Sequence, residues 1–432
     1  MTSSVEKSER QKPRIICDYK AKLNGGEFVG LKFENGTLRI NFPLGYKESK
    51  DEKERRKDIL NLISVLSTFS DRRDSFYNKE NFRNNELIEF PIHAYLFIVN
   101  NFLSNGYYIE REPIYKKSAN GKISWSRTIK QIRPQIADGN VVYLDFIVRK
   151  TSHNDANLIT LVHKYCVHES FTKIGFLFSS FVPQKSELKF NSNLFKAIIQ
   201  KKMSESFNEK DLLLFKNMLD MINYIDHSGQ SKTFYYGTEK FDHVWESLVD
   251  SVFGEPDKEK FYPKCRWVLR DENGRERQIE YNNDIYKKYT LRPDTIMIPA
   301  RGTAAQKIFV LDSKFYKYGV SNVSYDLPGS DSIIKQFAYA EFIEKGGPTI
   351  PKDALDNLDK DEIYNAFILP FDKEDGDDFK YFGYAKCDSY TGKKFHKIYG
   401  ILLDVKSIMR RHIPRDKELI DQLAKRILSS VK

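Results

Sequence analysis

Cysteine is scarce: Cys17, Cys166, Cys265 and Cys387 are the only four in 432 residues, and they lie far apart with no CxxC pair. That spacing excludes a zinc-finger framework or a disulfide scaffold, and it suits a reducing compartment. Long apolar runs are missing too. No stretch approaches the ~18 residues needed to span a bilayer, and the opening MTSSVEKSERQKPR lacks the apolar core of a secretion signal. A cytosolic chain with no membrane partner is the expectation. No GxxxxGKS/T phosphate loop occurs, so no nucleotide is expected to bind this chain.

What is present argues for folded domains. The chain is 40% hydrophobic and carries 31 Phe and 25 Tyr, too many large apolar side chains for a disordered polymer. Its length suits two domains, each able to bury a core. With 70 basic against 60 acidic residues the formal charge is +10, which suits a polyanionic partner without requiring one.

Residues 1–14 read as a mobile charged tail. Short strand-like stretches follow around Phe28–Phe33 and Leu38–Phe42, and the run KESKDEKERRK then opens a helix with Ile59, Leu62, Ile63 and Leu66 at helical spacing. A second helix is expected over residues 91–104, with Pro91 at its start and Gly106 just past its end. Residues 107–134 and the run VVYLDFIVRK read as a β-rich unit with an exposed basic loop. From Leu158 to about Ile225 the pattern is helical, and DHSGQSKT, residues 226–233, has the small, polar composition of a linker. The implied divisions are a tail at 1–14, an α+β N-terminal domain at 15–190, a helical connector at 191–230 and a second domain at 231–432.

The chemistry concentrates in that second domain. KFDHVWESLVDSVFG is an amphipathic helix whose stripe of Phe241, Val244, Trp245, Leu248, Val249 and Val252 has Glu246 at its edge. YTLRPDTIMIPA then places Asp294 before an apolar run, and KIFVLDSKFYKYG embeds Asp312 and Lys314 in a second one. Alternation puts Ile308, Val310, Asp312 and Lys314 on one face of that strand. An acid and an amine inside an apolar strand are costly unless partnered, and Asp294 supplies the missing carboxylate. Two such carboxylates suit Mg²⁺, with Mn²⁺ as a substitute, while Lys314 would orient a water for phosphodiester hydrolysis. Glu246 could hold the metal's water shell or a second ion. The helix SDSIIKQFAYAEF follows, bearing Gln336 and Tyr339. A surface hairpin with an Asp312–Lys314 ion pair is the bland alternative.

Two further features carry charge. WVLRDENGRERQIEY offers Arg270, Arg275 and Arg277 around an Asn-Gly turn as candidate contacts to a DNA backbone, although a solvated hairpin explains them as well. His163, Cys166 and His168 are close in sequence, but a helix turns one of them away and no fourth ligand follows, so zinc is not expected.

Together these segments resemble the nuclease subunits of LlaJI-type restriction systems, which are similar in turn to McrC. The resemblance runs from about residue 80 to 345, through FPIHAYLFIVNNFLSNGYYIEREPIYKKSANGKISWSRTIK, LVHKYCVHESFTKIG, FDHVWESLVDSVFG, LRPDTIMI, VLDSKFYKYG and KQFAYAEF. It implies a C-terminal PD-(D/E)xK mixed α/β sheet flanked by helices, with Asp294, Asp312 and Lys314 catalytic, Gln336 and Tyr339 on the helix that follows the motif, and Glu246 on the helix that precedes it. It further implies double-stranded DNA as substrate and an McrB-like AAA+ GTPase as partner, whose GTP hydrolysis this subunit stimulates. The loop around Lys116, Lys117, Lys122, Trp125 and Arg127 would then contact that motor, and an ordinary exposed turn accounts for it equally well. A stand-alone restriction enzyme and a non-catalytic assembly subunit are the competing expectations.

Overall fold

A computed structural model of the chain describes residues 14–19, 28–34, 37–69, 90–137, 140–153, 157–179, 181–227, 234–278, 290–356, 358–373 and 376–431. The structure is mixed α/β and divides into two units: residues 86–232, grouped with 1–13, and residues 14–85 together with 233–432. The expected tail lies outside the described residues except for Arg14, and most of the expected linker does as well.

The N-terminal strands β1 (Arg14–Asp18), β2 (Val29–Glu34) and β3 (Thr37–Asn41) and the helix α1 (Glu52–Phe69) fall in the second unit. This corrects the expected division, which placed residues 15–69 with the first. The reason is long-range pairing. β2 runs antiparallel to β9 (Phe234–Thr238), completing a sheet of order β1-β3-β2-β9. Gly30 and Gly237 face each other in this pairing at φ values of 143° and 159°. A Cβ at either position would stand 2.2 or 2.1 Å from the opposing carbonyl oxygen, so neither tolerates a side chain. In α1 the residues at helical spacing, Ile59, Leu62, Ile63 and Leu66, are buried. Its charged start faces water, tied by Glu52–Arg56 and Glu54–Lys57 ion pairs of 2.6 and 2.7 Å.

The first unit opens with α2 (Ile92–Asn105), where Pro91 precedes the helix and the Gly106 N–H closes it on the Phe102 carbonyl at 2.8 Å. Next come β4 (Arg111–Lys117) and β5 (Lys122–Ile123), then α3 (Trp125–Gln131), a helix where the sequence suggests a strand. The run VVYLDFIVRK is split between β7 (Asn140–Val142), which pairs with β6 (Gln135–Ala137), and β8 (Ile147–His153), which lies between β4 and β5. Three helices follow: α4 (Leu158–Lys173), α5 (Ser192–Glu205) and α6 (Glu209–His227). The expected connector is no separate element. Phe195, Phe215 and Met218 are fully buried, and rings from α5 and α6 meet Tyr165, Phe90 and Tyr108. Burial of each such ring contributes about 1.5–3 kcal/mol, enough to recruit both helices into this unit's core.

In the second unit α7 (Phe241–Phe253) precedes a hairpin of β10 (Val268–Arg270) and β11 (Glu276–Gln278). A five-stranded sheet of order β12-β13-β14-β16-β15 follows among the described residues, from β12 (Thr295–Met297), β13 (Ile308–Ser313), β14 (Ile363–Phe371), β15 (Phe379–Ala385) and β16 (Ile398–Asp404). β13, β14 and β16 are parallel, with antiparallel strands at both edges. Every residue of those three central strands is buried, as befits parallel strands covered on both faces. On one face Ile308 and Val310 pack with Ile296 and with Tyr339, Ala340 and Ile343 of the helix Ser330–Glu344. Phe315, just beyond β13, meets Phe241 and Trp245 of α7 at ring-centroid distances of 5.1 and 5.9 Å. No described helix is long and apolar enough to cross a membrane.

Candidate active site

The polar residues embedded in β13 and next to β12 meet at one place. Thr295 pairs with Leu311 across the two strands, which brings Asp294 beside the end of β13. The Ser313 backbone N–H donates to Asp294 Oδ2 at 2.8 Å, fixing the carboxylate against the strand. Lys314 Nζ donates to Asp312 at 3.0 Å to Oδ1 and 2.9 Å to Oδ2. The Lys314 N–H continues the ladder to the Ile368 carbonyl, so its side chain stays on the face that alternation assigns.

The Asp294 and Asp312 carboxyl groups lie close enough to influence each other, and the electrostatics follow. Burial pushes the Asp294 carboxyl well up from its ordinary range, and the adjoining Asp312 carboxylate pushes the same way. Burial alone would lower the Lys314 ammonium, but Asp312 and Asp294 outweigh it and hold the group above its usual value. Two acids thus share one amine, which leaves the cluster one positive charge short when both acids are ionised. A hard divalent cation fits that donor set, since Mg²⁺ takes one or two carboxylates and completes its shell with water and substrate oxygens.

The other predicted residues are distributed around this pair. Burial raises the Glu246 carboxyl, with Lys314 and His243 opposing the shift, so Glu246 lies within electrostatic reach of the cluster. It is not a third ligand as the structure stands: among the described residues no group of three or more His, Cys, Asp or Glu side chains is arranged to hold a metal. Tyr339 Oη donates to the Arg292 carbonyl at 3.3 Å, and burial, Asp312 and Asp294 together raise its phenol. Gln336 is fully buried with neither side-chain amide atom partnered among the described residues, while its backbone carbonyl accepts from Asn365 Nδ2 at 3.2 Å.

Sequence reasoning missed Lys258. Its Nζ donates at 2.6 Å both to Asp250 Oδ2 on α7 and to the Asp294 carbonyl, clamping the backbone that carries the first acid. No local pattern marks it, because the bond spans 36 residues.

Arg270, Arg275 and Arg277 stand on the exposed β10–β11 hairpin, where Arg270 pairs with Glu276 at 2.7 Å. Lys116, Lys117, Lys122, Trp125 and Arg127 belong to the first unit. There Arg127 stacks 3.8 Å over the Tyr115 ring, Lys117 pairs with Asp145, and Trp125 remains 54% exposed. His163 is buried, its Nδ1 accepting from the Tyr108 N–H at 2.9 Å, and burial lowers its pKa to about 4. His168 is hydrogen-bonded to the Pro183 carbonyl, so the His163, Cys166 and His168 trio forms no metal site.

A family model described as LlaJI restriction endonuclease matches residues 28–406. The Bacillus subtilis (strain 168) protein "Type II restriction enzyme BsuMI component YdjA" is 26% identical over 380 residues, covering 84% of this chain and 75% of that protein. Among solved structures, a chain of the half-complex of Thermococcus gammatolerans McrB AAA+ hexamers with bound McrC aligns over 89% of this chain and 82% of its own length, at 13% identity and a TM-score of 0.35. A chain of the Thermococcus gammatolerans McrBC complex aligns over 52% of this chain and 64% of its own, at 13% identity and a TM-score of 0.24.

Proposed function

This chain belongs to the LlaJI restriction endonuclease family, which makes it a nuclease component of a restriction system, and on that premise we propose that Asp294, Asp312 and Lys314 form a PD-(D/E)xK-type centre that hydrolyses phosphodiester bonds of double-stranded DNA with Mg²⁺. The observation that carries this reading is the convergence of two carboxyl groups on one ammonium at the end of a buried strand, with Asp294 held by the Ser313 N–H and Asp312 by Lys314. A mixed sheet with helices packed on the strand that bears the acid and lysine supports the fold part of the reading.

Asp294 and Asp312 would hold the cation, and Mn²⁺ would serve in place of Mg²⁺. When bound, the ion would acidify a water and neutralise charge on the phosphate. The chain's own groups supply position. The Ser313 N–H and the Lys258 clamp fix Asp294, while Lys314, held protonated by both acids, offsets negative charge and orients the attacking water. Glu246 faces this cluster as a half-buried carboxylate and would order solvent around it.

The first unit supplies a docking surface in this reading. Residues 111–150 present Lys116, Lys117 and Lys122 near the exposed Trp125, and with no phosphate loop in the sequence any dependence on GTP must come from another chain. The partner would be an McrB-like AAA+ GTPase whose hydrolysis this subunit stimulates.

Reconstituting the system with its GTPase and replacing Asp312 by Ala tests the proposal. DNA cutting should vanish while GTPase stimulation and folding survive; cleavage at the unmodified rate would end it. Cutting by the isolated chain without GTP would remove the partner from the account and leave the centre in place.

A further inference from the structure

The β10–β11 hairpin is built unlike its surroundings. Its register pairs Val268 with Gln278, Leu269 with Arg277 and Arg270 with Glu276, and no third described strand joins it. Alternate residues of a strand share a face, so Leu269 and Arg277 lie together with Trp267 next in the alternation. Val268, Gln278 and the Arg270–Glu276 ion pair occupy the other side. Trp267 is 59% exposed, Val268 53% and Leu269 42%. A lone two-stranded ribbon is marginal in water, and a tryptophan and a leucine kept in solvent on such an element mark a surface made for a partner.

Charge distinguishes the two faces. Glu276 is neutralised by Arg270 at 2.7 Å, and the Asp271 carboxylate is engaged within the turn by the N–H groups of Asn273 and Arg275 at 3.0 and 2.7 Å. Glu272 is left at the turn, and Asp271, two residues on from Leu269, stands at the turn end of the Trp267, Leu269 and Arg277 face; no other carboxylate among the described ribbon residues shares that face. That face is therefore aromatic, apolar and cationic, whereas the opposite one is neutral. The sequence presents Arg270, Arg275 and Arg277 as one phosphate-binding set; the register separates Arg270 from Arg277.

The root of the ribbon lies next to the catalytic segment. Lys264 and Thr290 form a bridge and the Leu291 N–H donates to the Pro263 carbonyl at 2.9 Å, a few residues before Asp294. At about 3.3 Å per residue the ribbon reaches no more than ~30 Å beyond that root, less than one turn of duplex at ~34 Å.

We propose that this ribbon enters the major groove of the duplex being cut, with Trp267, Leu269 and Arg277 turned toward the DNA. A two-stranded ribbon fits that groove. Arg277 engages a phosphate or base edge, and Trp267 and Leu269 lie against sugars and bases. The proposal rests on the nuclease reading above and adds a groove-reading element beside the cutting centre.

The test uses the full chain in EDTA, so that binding is read without cutting, and a fluorescein-labelled duplex about three helical turns long. Trp267→Ala should weaken binding about tenfold. Arg277→Ala should lower the slope of log affinity against log salt by about one unit. Val268→Thr, on the neutral face, should change neither. All three positions are exposed, and unchanged thermal melting would establish that each variant folds. Equal affinity and equal salt slope in both face variants, or no duplex binding by the unmodified chain, would overturn the proposal. So would sedimentation showing that Trp267→Ala dissociates a dimer, which would make the ribbon a contact between copies. The outcomes separate from the parent reading: an Asp312→Ala chain that still cuts defeats the nuclease centre whatever the ribbon does, while unaffected binding by the ribbon variants leaves that centre intact.

Discussion

Asp58 and Asp294 belong to the same unit, and both are drawn out of bulk water, yet their surroundings drive their carboxyl groups in opposite directions. Asp58, with no exposed surface, accepts from Tyr46 Oη at 2.9 Å, Lys406 Nζ at 2.9 Å and Arg410 Nη2 at 2.8 Å, and from the Ser49 hydroxyl. Burial would raise its pKa, but those donors outweigh it and hold the group below the usual range. Asp294 has a backbone N–H and a share in one lysine, and it neighbours another acid. A saturated carboxylate belongs to the scaffold, tying α1 to the helix Val405–Arg410. An undersupplied one is a candidate ligand for a cation.

The sharpest way to break this contrast is to remove each acid in turn. Asp312→Ala should reduce DNA cleavage by about a thousandfold or more, with thermal stability of the metal-free protein unchanged or raised, because a like-charge contact is relieved. Asp58→Ala should do the reverse. It leaves Lys406 and Arg410 without their buried partner and should cost about 3–5 kcal/mol in denaturant unfolding, with cleavage per folded molecule preserved.

Lys314→Met comes next. It should slow cleavage about a hundredfold, leave GTPase stimulation by the partner unchanged and weaken Mg²⁺ dependence little, since the ligands stay in place.

The pH dependence of stability separates the two aspartates by sign. In metal-free protein the folded-state pKa of Asp294 lies above its unfolded value, so its stabilising contribution is full below the unfolded pKa and is lost as pH rises through the folded one. For Asp58 the folded value is depressed, so its contribution is present above the unfolded pKa and is lost as pH falls. Melting temperatures across pH should show Asp294→Asn flattening the decline above the carboxylate range and Asp58→Asn flattening the acid limb. Curves that both follow the unmodified protein would refute the assignment.

Glu246→Gln should have the smallest effect, about a tenfold loss in cleavage with Mg²⁺ affinity nearly kept, because Glu246 faces the cluster without completing a ligand group. A loss as large as that of Asp312→Ala would make it a full ligand.

The candidate cluster was legible because its residues are close in sequence: Asp312 and Lys314 share a strand face by alternation, and Asp294 sits at the start of the adjoining strand. Helices α1, α2 and α7 were legible from their apolar spacing and, in α2, from Pro91 and Gly106. The pairing of β2 with β9 was not, since some 200 residues separate the partners and neither strand signals the other. The same holds for the recruitment of α5 and α6 into the first unit's core and for the Lys258 clamp. In each case the deciding interaction is tertiary, and local pattern is silent about it. The ribbon is intermediate. Its arginines were visible, but only the register revealed which of them share a face.

Manganese binding measured by electron paramagnetic resonance, on the unmodified chain and on Asp312→Asn, addresses the centre most directly. The undersupplied carboxylate pair predicts loss of the free-ion signal on binding to the unmodified protein, and recovery of that signal in the variant. Equal binding by both proteins would mean that Asp294 and Asp312 hold no cation.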